Sequence, residues 1–415
     1  MALDPVPPPA ASRLVDVDVD FDALDLAWLQ AKPGAKWHRH GPDRLAAWVA
    51  DMDFPTPPPV VAALHRFVDT GDLGYPDWLG RASPLRGLFA ERMAARFGWS
   101  PEPQDVRELC DIVHGLQWIL HLATPVDSLL ALHVPAYPPF LDTSSAMSRP
   151  ILPIPAERAA SGWAFDHDRF AADLAAAGGR CRALLLCNPQ NPTGHVFTAA
   201  ELERLAALAE EHDLLVISDE IHADLVYPPA THVPIAALDP AIAARTVTLT
   251  SATKAFNIAG VRCAVAHLGS EAVRQAWEAQ PQHLFGVVSP LGVEATRAAW
   301  EDGGDWLDAL VVHLDRNRRL VGSLLAASLP DVDYVPPEAT YLAWLDLRAL
   351  RLADPPHSVL RDSGVVLSPG PDFGPQGEGF VRLNFATSAA VLEALVARLT
   401  SAVARAPRRT EATRA

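Results

Sequence analysis

The sequence predicts an α/β fold built on a mostly parallel sheet. Four short apolar runs have the length and composition of buried strands: Leu129–His133, Ala183–Cys187, Leu214–Ser218 and Thr246–Thr250. A helix is predicted between the second and third runs, at Ala199–Glu211, because Thr198 and Glu201 form a capping box at its start. A strand, a helix and a strand at this spacing are typical of a parallel sheet flanked by helices.

The pattern changes in the last third of the chain. A long helical stretch is predicted at Trp300–Ser328. Three strands are predicted beyond it: Thr340–Leu347, Val365–Leu367 and Phe380–Phe385. Strands with helices between them predict a second, smaller α+β domain.

These changes divide the chain into five parts. The two ends, residues 1–15 and 405–415, are predicted to be disordered tails. Between them we expect three parts. Residues 16–55 form an N-terminal segment that packs with the small domain, residues 56–298 form the large domain, and residues 299–404 form the small domain. We expect residues 1–60 to form the substrate entrance.

The composition argues against some classes of partner. The 34 basic residues face 50 acidic ones, a formal charge of −16, which argues against nucleic acid or an anionic membrane as the main partner. No run of about 18 apolar residues is present, and the N-terminus resembles no signal peptide. The spacing of the four cysteines suggests neither a disulfide framework nor a metal site, so we expect a cytoplasmic protein.

Three loops that follow predicted strands carry candidate ligand-binding residues. The proline-fixed loop Asn188–Gly194 would hold the Asn191 amide in one direction, although it could be a plain turn. Asp219 stands at the end of the next strand, where a buried carboxylate is costly unless it meets a cation. It could instead be a helix N-cap or an acid on the surface. Lys254 follows another strand and has small and apolar neighbours. Burial there would favour its neutral amine, which can form an imine, although most lysines are solvated surface residues.

Four further residues extend this candidate site. A helix predicted to begin at Gly115 would offer free N–H groups to an anion, which is weak evidence alone. Arg262 could bind a phosphate bidentately or lie on the surface. Tyr137 stands on a proline-fixed loop, where its ring could stack on a flat cofactor. His222, taken alone, is more often a structural histidine than a ligand.

Together these motifs resemble a known family. The loop NPQNPTG, the Asp219 segment and the S-x-x-K motif ending at Lys254 resemble fold-type I pyridoxal 5′-phosphate (PLP) enzymes of the aspartate aminotransferase superfamily. Within it the sequence is more similar to the MalY/PatB group of cystathionine β-lyases and cysteine C–S lyases. The segments that carry this closer resemblance lie in the group's order: Lys36–Trp37, Trp48–Phe54 (WVADMDF), Gly74–Tyr75, Pro135–Phe140 (PAYPPF), Asp219–Leu225 (DEIHADL), Thr253–Gly260 (TKAFNIAG) and Phe380–Ser388 (FVRLNFATS).

The resemblance implies a role for each residue around the cofactor ring. Lys254 would carry PLP as a Schiff base and move protons. Asp219 would bind the pyridine nitrogen, and Asn191 the phenolic oxygen. His222 stands where many relatives have tyrosine and would also bind that oxygen. Tyr137 would stack on the ring and, with Asn191, face the substrate.

The resemblance also implies a phosphate site, a carboxylate site and a dimer. The phosphate would be held by Gly115, Leu116, Ser251 and Arg262, of which Arg262 is absent from some members of the group. Arg382 would bind the substrate α-carboxylate. Tyr75 would reach the phosphate bound by the neighbouring subunit, which requires a homodimer. No metal is implied.

Three functions follow from these expectations. The first is a PLP-dependent C–S β-lyase that cleaves L-cystathionine or another cysteine S-conjugate to a thiol, pyruvate and ammonia. The second is an aminotransferase, which shares the first half of the reaction. The third is a PLP-binding regulator, which the short N-terminal tail and the acidic composition disfavour.

Overall fold

The computed structural model describes residues 20–78, 82–159 and 162–409. The tail predicted at residues 1–15 lies outside this range, as do residues 410–415 of the second predicted tail. The remaining part of that second tail is hydrogen bonded to the small domain, because the Arg409 N–H donates to the Arg351 carbonyl and the Ala353 N–H to the Pro407 carbonyl. Ordered backbone therefore continues past residue 405.

The strands are numbered in chain order. They are β1 Leu45–Ala46, β2 Val106–Leu109, β3 Leu129–Val134, β4 Ile151–Ala159, β5 Gly162–Phe165, β6 Cys181–Cys187, β7 Leu215–Asp219, β8 Thr246–Thr250, β9 Ala264–Leu268, β10 Asp333–Tyr334, β11 Leu342–Asp346, β12 Val365–Val366, β13 Ser368–Pro369 and β14 Phe380–Asn384.

The α-helices are numbered in the same way. They are α1 Leu26–Ala31, α2 Ala35–His38, α3 Pro58–Asp69, α4 Pro84–Phe97, α5 Ile112–Ala123, α6 Pro138–Ala146, α7 His167–Ala177, α8 Ala199–Glu211, α9 Pro240–Ala243, α10 Glu271–Glu278, α11 Pro290–Asp302, α12 Gly304–Ser328, α13 Pro356–Asp362 and α14 Ala389–Arg405. Short 3-10 turns lie at Pro103–Asp105, Ile235–Ala237, Ala259–Val261, Gln282–Phe285, Arg348–Leu350, Gly370–Phe373 and Pro375–Gly377.

The predicted α/β architecture is observed. The large sheet has the strand order β2-β9-β8-β7-β6-β3-β4-β5. Strands β3, β4, β6, β7 and β8 are mutually parallel, whereas β9 is antiparallel to both its neighbours and β5 is antiparallel to β4. The carboxyl ends of four predicted strands therefore lie at one edge of the sheet, which is where a ligand site of an α/β sheet belongs.

Both faces of the large sheet are covered, and this explains the continuous apolar runs in its strands. In β6, Leu184 and Leu186 pack into the core beneath α7 and α8, while Leu185 between them packs into the core beneath α5 and α10. Successive side chains of a strand point to opposite faces, so a strand buried on both sides must be apolar throughout. The helix predicted at residues 199–211 is observed with its capping box.

A second, antiparallel sheet has the order β10-β11-β14-β13, and α12 and α14 pack against it. We call this part of the molecule the small domain and the part around the eight-stranded sheet the large domain. The N-terminal segment joins the small domain, because β1 pairs in parallel with β12. The strand predicted at Val365–Leu367 is observed as β12, Val365–Val366, which pairs with β1. A further short strand that was not predicted, Ser368–Pro369, follows it and pairs with β14.

The long helical stretch predicted at Trp300–Ser328 is two helices. Helix α11 already begins at Pro290, and α12 begins at Gly304. The break lies at Gly303, where a Cβ atom would stand 2.5 Å from the Ala299 carbonyl oxygen and 2.6 Å from the Phe256 ring. This close approach requires glycine, and the sequence pattern alone did not indicate it. Within the described residues, no helix combines the length and the apolar character needed to cross a bilayer.

A histidine joins the two domains beside the NPQNPTG loop. His195 Nε2 lies 3.1 Å from Glu201 at the start of α8, and His195 Nδ1 lies 3.4 Å from Glu338. Burial alone would lower the pKa of His195, but hydrogen bonds to both carboxylates raise it to about 9. The same contact lowers the pKa of Glu201 to about 2, against the effect of its burial.

We expect His195→Gln to destabilise the protein in a pH-dependent way. The raised pKa of His195 means that its charged contacts stabilise the fold fully below pH 6.5 and cease to do so as the pH rises through about 9. The loss in unfolding free energy is expected to be on the order of 2 kcal/mol near pH 6 and to shrink towards pH 9. Urea unfolding at a series of pH values measures it. His212→Gln, at the end of the same helix, is the control, and a loss that does not vary with pH would contradict this assignment.

Candidate active site

The carboxyl ends of the parallel strands surround a cavity of about 170 Å³, which we call the strand-end cavity. Four segments that line it directly follow a strand: the Tyr137 loop after β3, the Asn191 loop after β6, the His222 segment after β7 and the Lys254 loop after β8. The polar loops predicted to meet are therefore brought together.

Lys254 lies at the base of this cavity. Its Nζ donates a hydrogen bond of 2.8 Å to the backbone carbonyl of Ala50. Burial lowers the pKa of the Lys254 ammonium, the nearby charge of Arg382 lowers it further, and Asp51 and Asp219 oppose both effects. A lysine in this environment releases its proton more readily than a solvated one, so its amine is available to react with a carbonyl group.

Asp219 is a buried carboxylate that lacks a cationic partner among the described residues. It ends β7 with 4% of its surface exposed, and the Ile221 N–H donates to its Oδ1. Burial raises the pKa of Asp219 to about 7. A positively charged group in the cavity would stabilise the ionised carboxylate, as predicted for a protonated pyridine nitrogen.

Arg382 is the opposite case, a buried cation with no carboxylate partner in the described part of the chain. It stands in β14 and is 4% exposed. Its guanidinium donates to the Asn191 Oδ1 at 2.9 Å, to the Trp48 carbonyl at 3.1 Å and to the Ser368 hydroxyl at 3.3 Å, while its Nε remains unpaired. Burial lowers the pKa of Arg382 to about 10, so it stays charged at neutral pH and would be stabilised by an anion.

Asn191, His222 and Tyr137 line the cavity as predicted. Because the Asn191 oxygen accepts from Arg382, its amide N–H groups remain as donors. Burial, with Lys254 and Arg382 nearby, lowers the pKa of His222 to about 3, so its ring is neutral, and its Nδ1 has no partner. The Tyr137 phenol is mostly buried at the start of α6, which raises its pKa.

The anion-binding end of the cavity differs from the prediction. Helix α5 begins at Ile112, not at Gly115, and Asp111 is its N-cap. The Gly115 N–H is occupied by an intrahelical bond to the Asp111 carbonyl, and Leu116 lies in the apolar core. The prediction that these two residues hold a phosphate is therefore not supported by their positions. Gly115 serves packing instead, because a Cβ there would stand 2.4 Å from the Leu109 side chain.

Ile112 and Val113 replace them at this end of the cavity. Both residues line it, and N–H groups in the first turn of a helix have no intrahelical acceptor. The free N–H donors therefore lie directly after the N-cap residue Asp111, at a position that the sequence pattern missed. The aspartate at position 111 was the available signal, since aspartate is a favoured N-cap.

Ser251 and Arg262 also border the anion-binding end. The Ser251 hydroxyl lies 2.6 Å from the Cys263 carbonyl and 2.8 Å from the Thr253 hydroxyl. Arg262 is largely exposed and forms an ion pair with Asp111. Asp111 therefore places a carboxylate beside the guanidinium that was predicted to bind a phosphate.

Tyr75 lies apart from the other predicted site residues. It follows α3, is 92% exposed and is not among the residues that line the strand-end cavity of its own chain. Its predicted role in the site of a neighbouring subunit remains a prediction.

Residues 47–54, which we call the N-terminal strap, contain the WVADMDF motif and belong to the segment expected to pack with the small domain. In the structure they border Lys254 and are held by side chains from both domains. The Tyr341 hydroxyl donates to Ala50 at 2.9 Å, Asn384 donates to the strap at 2.8 and 2.6 Å, and Asn257 donates to it at 3.2 and 2.7 Å. These three residues were missed because their sequence neighbours give no sign of the strap.

The charges of the residues in and beside the cavity are complementary to those of PLP with an attached amino acid. A protonated ring nitrogen would give Asp219 its missing cation, and an amino-acid carboxylate would give Arg382 its missing anion. The charges of both residues act on Lys254, and the first turn of α5 and Arg262, which line the cavity, offer donors to a phosphate.

Comparison with known proteins supports this assignment. The family model for aminotransferase class I and II matches residues 86–399. Cystathionine beta-lyase of Corynebacterium glutamicum is 34% identical over 91% of this chain and 98% of that protein, and cystathionine beta-lyase PatB of Bacillus subtilis is 32% identical over 89% and 96%. The crystal structure of the PLP-bound C-S lyase from Staphylococcus hominis has a TM-score of 0.85 at 27% identity, covering 93% of this chain and 99% of that one.

We expect Asp111→Asn to tighten PLP binding. Asparagine keeps the N-cap of α5, but it removes a negative charge from the phosphate end and frees Arg262 to bind the phosphate. The dissociation constant for PLP is expected to fall about tenfold, because the binding free energy would gain roughly that of one charge-assisted hydrogen bond. Titration of the cofactor-free protein with PLP, followed by absorbance, measures it. Asp166→Asn, at the N-cap of α7, is the matched control, and unchanged or weaker binding would argue against this role of Asp111.

Proposed function

The chain belongs to the aminotransferase class I and II family, and from this membership we propose that it is a PLP-dependent C–S β-lyase. Its substrate is L-cystathionine or a related cysteine S-conjugate, which it cleaves with water to a thiol, pyruvate and ammonia. The resemblance to the MalY/PatB group is confirmed by relatives at 32–37% identity over most of the chain. The pair of buried charges around Lys254, Asp219 and Arg382, supports PLP and an amino-acid substrate, and the relatives named cystathionine beta-lyase favour the lyase over the aminotransferase.

The residues of the cavity divide the work of holding cofactor and substrate. Asp219 would keep the pyridine nitrogen protonated, and Asn191 with His222 would hold the phenolic oxygen. Bound PLP supplies an electron sink for the α-carbon of an attached amino acid. Arg382 would bind the α-carboxylate and so orient the Cα–H bond towards the Lys254 amine.

Proton transfer falls to Lys254. Burial lowers the pKa of its ammonium, so the neutral amine is accessible to accept the proton from the substrate Cα. The carbonyl of Ala50, 2.8 Å from Nζ, holds this group in one place when it is not bound to the cofactor. Loss of the Cα proton is followed by departure of the thiol from Cβ, which distinguishes a β-lyase from an aminotransferase.

We place the enzyme in the cytoplasm as a homodimer. The four cysteines are free, which suits a reducing compartment. Val68 near the end of α3 and Leu73 and Tyr75 just after it are 51%, 62% and 92% exposed, and we propose that a second copy of the chain covers them. In that dimer, Tyr75 would complete the phosphate end of the partner's cavity.

We expect the purified holoenzyme to release pyruvate and a thiol in equal amounts from L-cystathionine with no 2-oxo acid present. Lys254→Ala removes the general base and is expected to lower the rate by roughly a thousandfold or more, while circular dichroism shows an intact fold. Coupled pyruvate and thiol assays measure both products. Conversion of the cofactor to pyridoxamine phosphate without pyruvate release would contradict the lyase and favour an aminotransferase.

We expect two inactive variants to complement one another if Tyr75 acts across a dimer. A mixed dimer of Lys254→Ala and Tyr75→Ala subunits contains one cavity with both native residues, so mixing after partial unfolding should restore activity. Each variant refolded alone is the control. Absence of recovery, with mixed dimers demonstrated by a size-tagged subunit, would rule out a shared site.

A further inference from the structure

The lysines of this chain are few and lie in one place. Only three of its 34 basic residues are lysines, Lys32, Lys36 and Lys254. All three ammonium groups donate to backbone carbonyls of residues 50–53 in the N-terminal strap, at 2.7, 3.1 and 2.8 Å respectively. The reactive lysine and the other two therefore lie along a segment of four residues.

Lys32 and Lys36 line a second cavity, of about 240 Å³, beside the strand-end cavity. Ala259 lines both cavities. Ala50 of the strap lines the first cavity, and the next residue, Asp51, lines the second. Consecutive Cα atoms are about 3.8 Å apart, so the two cavities are immediate neighbours.

Two charged groups of the second cavity lack an opposite charge in contact within the described chain. The Asp51 side chain is half-buried and forms no hydrogen bond or ion pair with the described residues. Lys32 donates to a backbone carbonyl but meets no carboxylate within ion-pair distance, and burial lowers its pKa. Lys36 differs, because it is paired with Asp53 at 2.9 Å.

We propose that the second cavity binds the distal head group of the substrate, with Lys32 receiving a carboxylate and Asp51 an ammonium. This inference rests on the proposed lyase function and narrows its substrate class. The preferred substrates are cysteine S-conjugates whose departing thiol itself ends in an α-amino acid, as in L-cystathionine. A short thioether chain would run from the α-carbon near Lys254 past Ala50 into the second cavity.

The charges explain why such substrates are preferred. An S-alkyl cysteine would fill the strand-end cavity but leave the Lys32 ammonium without a carboxylate and the Asp51 carboxylate without a cation in contact. Sites built to bind polar groups discriminate strongly against analogues that lack those groups. The second cavity therefore acts on specificity, and Lys32 lies outside the groups that carry the reaction.

Four substrates test the roles of Lys32 and Asp51 separately. L-Cystathionine has both distal groups, S-(2-carboxyethyl)-L-cysteine has only the carboxylate, S-(2-aminoethyl)-L-cysteine has only the ammonium, and S-ethyl-L-cysteine has neither. The kcat/KM of each is measured by pyruvate release for the wild type, Lys32→Gln, Lys32→Arg and Asp51→Asn. Arg44→Gln is the matched control, because Arg44 lies in the same segment but donates to the Arg361 carbonyl instead.

We expect Lys32→Gln to lower kcat/KM about tenfold for the two substrates with a distal carboxylate, through KM, and to leave S-ethyl-L-cysteine unchanged. Lys32→Arg keeps the charge and should retain most of the preference. Asp51→Asn should act on the two substrates with a distal ammonium. Its effect is taken relative to S-ethyl-L-cysteine, because the Asp51 charge also reaches Lys254.

The outcomes distinguish the subsite from the lyase activity. Equal losses for all four substrates, or equal kcat/KM for charged and uncharged substrates in the wild type, would overturn the subsite and leave the lyase standing. Release of pyruvate from none of the four by the wild type would overturn the lyase function and the subsite with it. Unchanged turnover of S-ethyl-L-cysteine by Lys32→Gln also shows that the variant is folded.

Discussion

Two buried charges of opposite sign, Asp219 and Arg382, set the main constraint on this molecule. Each is almost fully enclosed, and neither meets a charged partner within the described chain. An unpaired buried charge costs several kcal/mol, so a fold that carries two of them derives no stability from the arrangement. The cost is recovered when a ligand supplies a cation to one and an anion to the other. Asp219 ends β7 and Arg382 stands in β14, and the charges of both act on Lys254.

The N-terminal strap is the second element on which the site depends. Its carbonyls accept hydrogen bonds from Lys254 and Asn257 in the large domain and from Tyr341 and Asn384 in the small domain. Irregular backbone buried between domains must satisfy its polar groups, and side chains from both domains do so here. The strap also borders both cavities, because Ala50 lines the strand-end cavity and Asp51 lines the second cavity. A displacement of either domain would therefore move the strap relative to the reactive lysine.

The sequence predicted the strand-end residues well and the helix-end residues poorly, for different physical reasons. Asn191, Asp219 and Lys254 follow apolar runs of strand length, and parallel strands must end at a common edge, so local pattern and topology determine their meeting. The sequence predicts a helix start at Gly115 on weak evidence, whereas Gly115 lies inside α5, where it allows close packing on Leu109. Glycine at this position is required by a tertiary contact with Leu109. The hydrophobic periodicity of a single sequence does not show such contacts.

From the sequence alone follow the α/β class, the order of the strands along the chain, the family motifs and the residues that meet at the carboxyl ends of the strands. These follow because burial on both faces demands continuous apolar runs and because turn residues are local. Only the tertiary structure determined that Ile112 and Val113 offer the free N–H groups, that Asp111 competes for Arg262 and that all three lysines bind the strap. Those contacts join residues far apart in the chain, and their partners are selected by packing between domains, which no local pattern records.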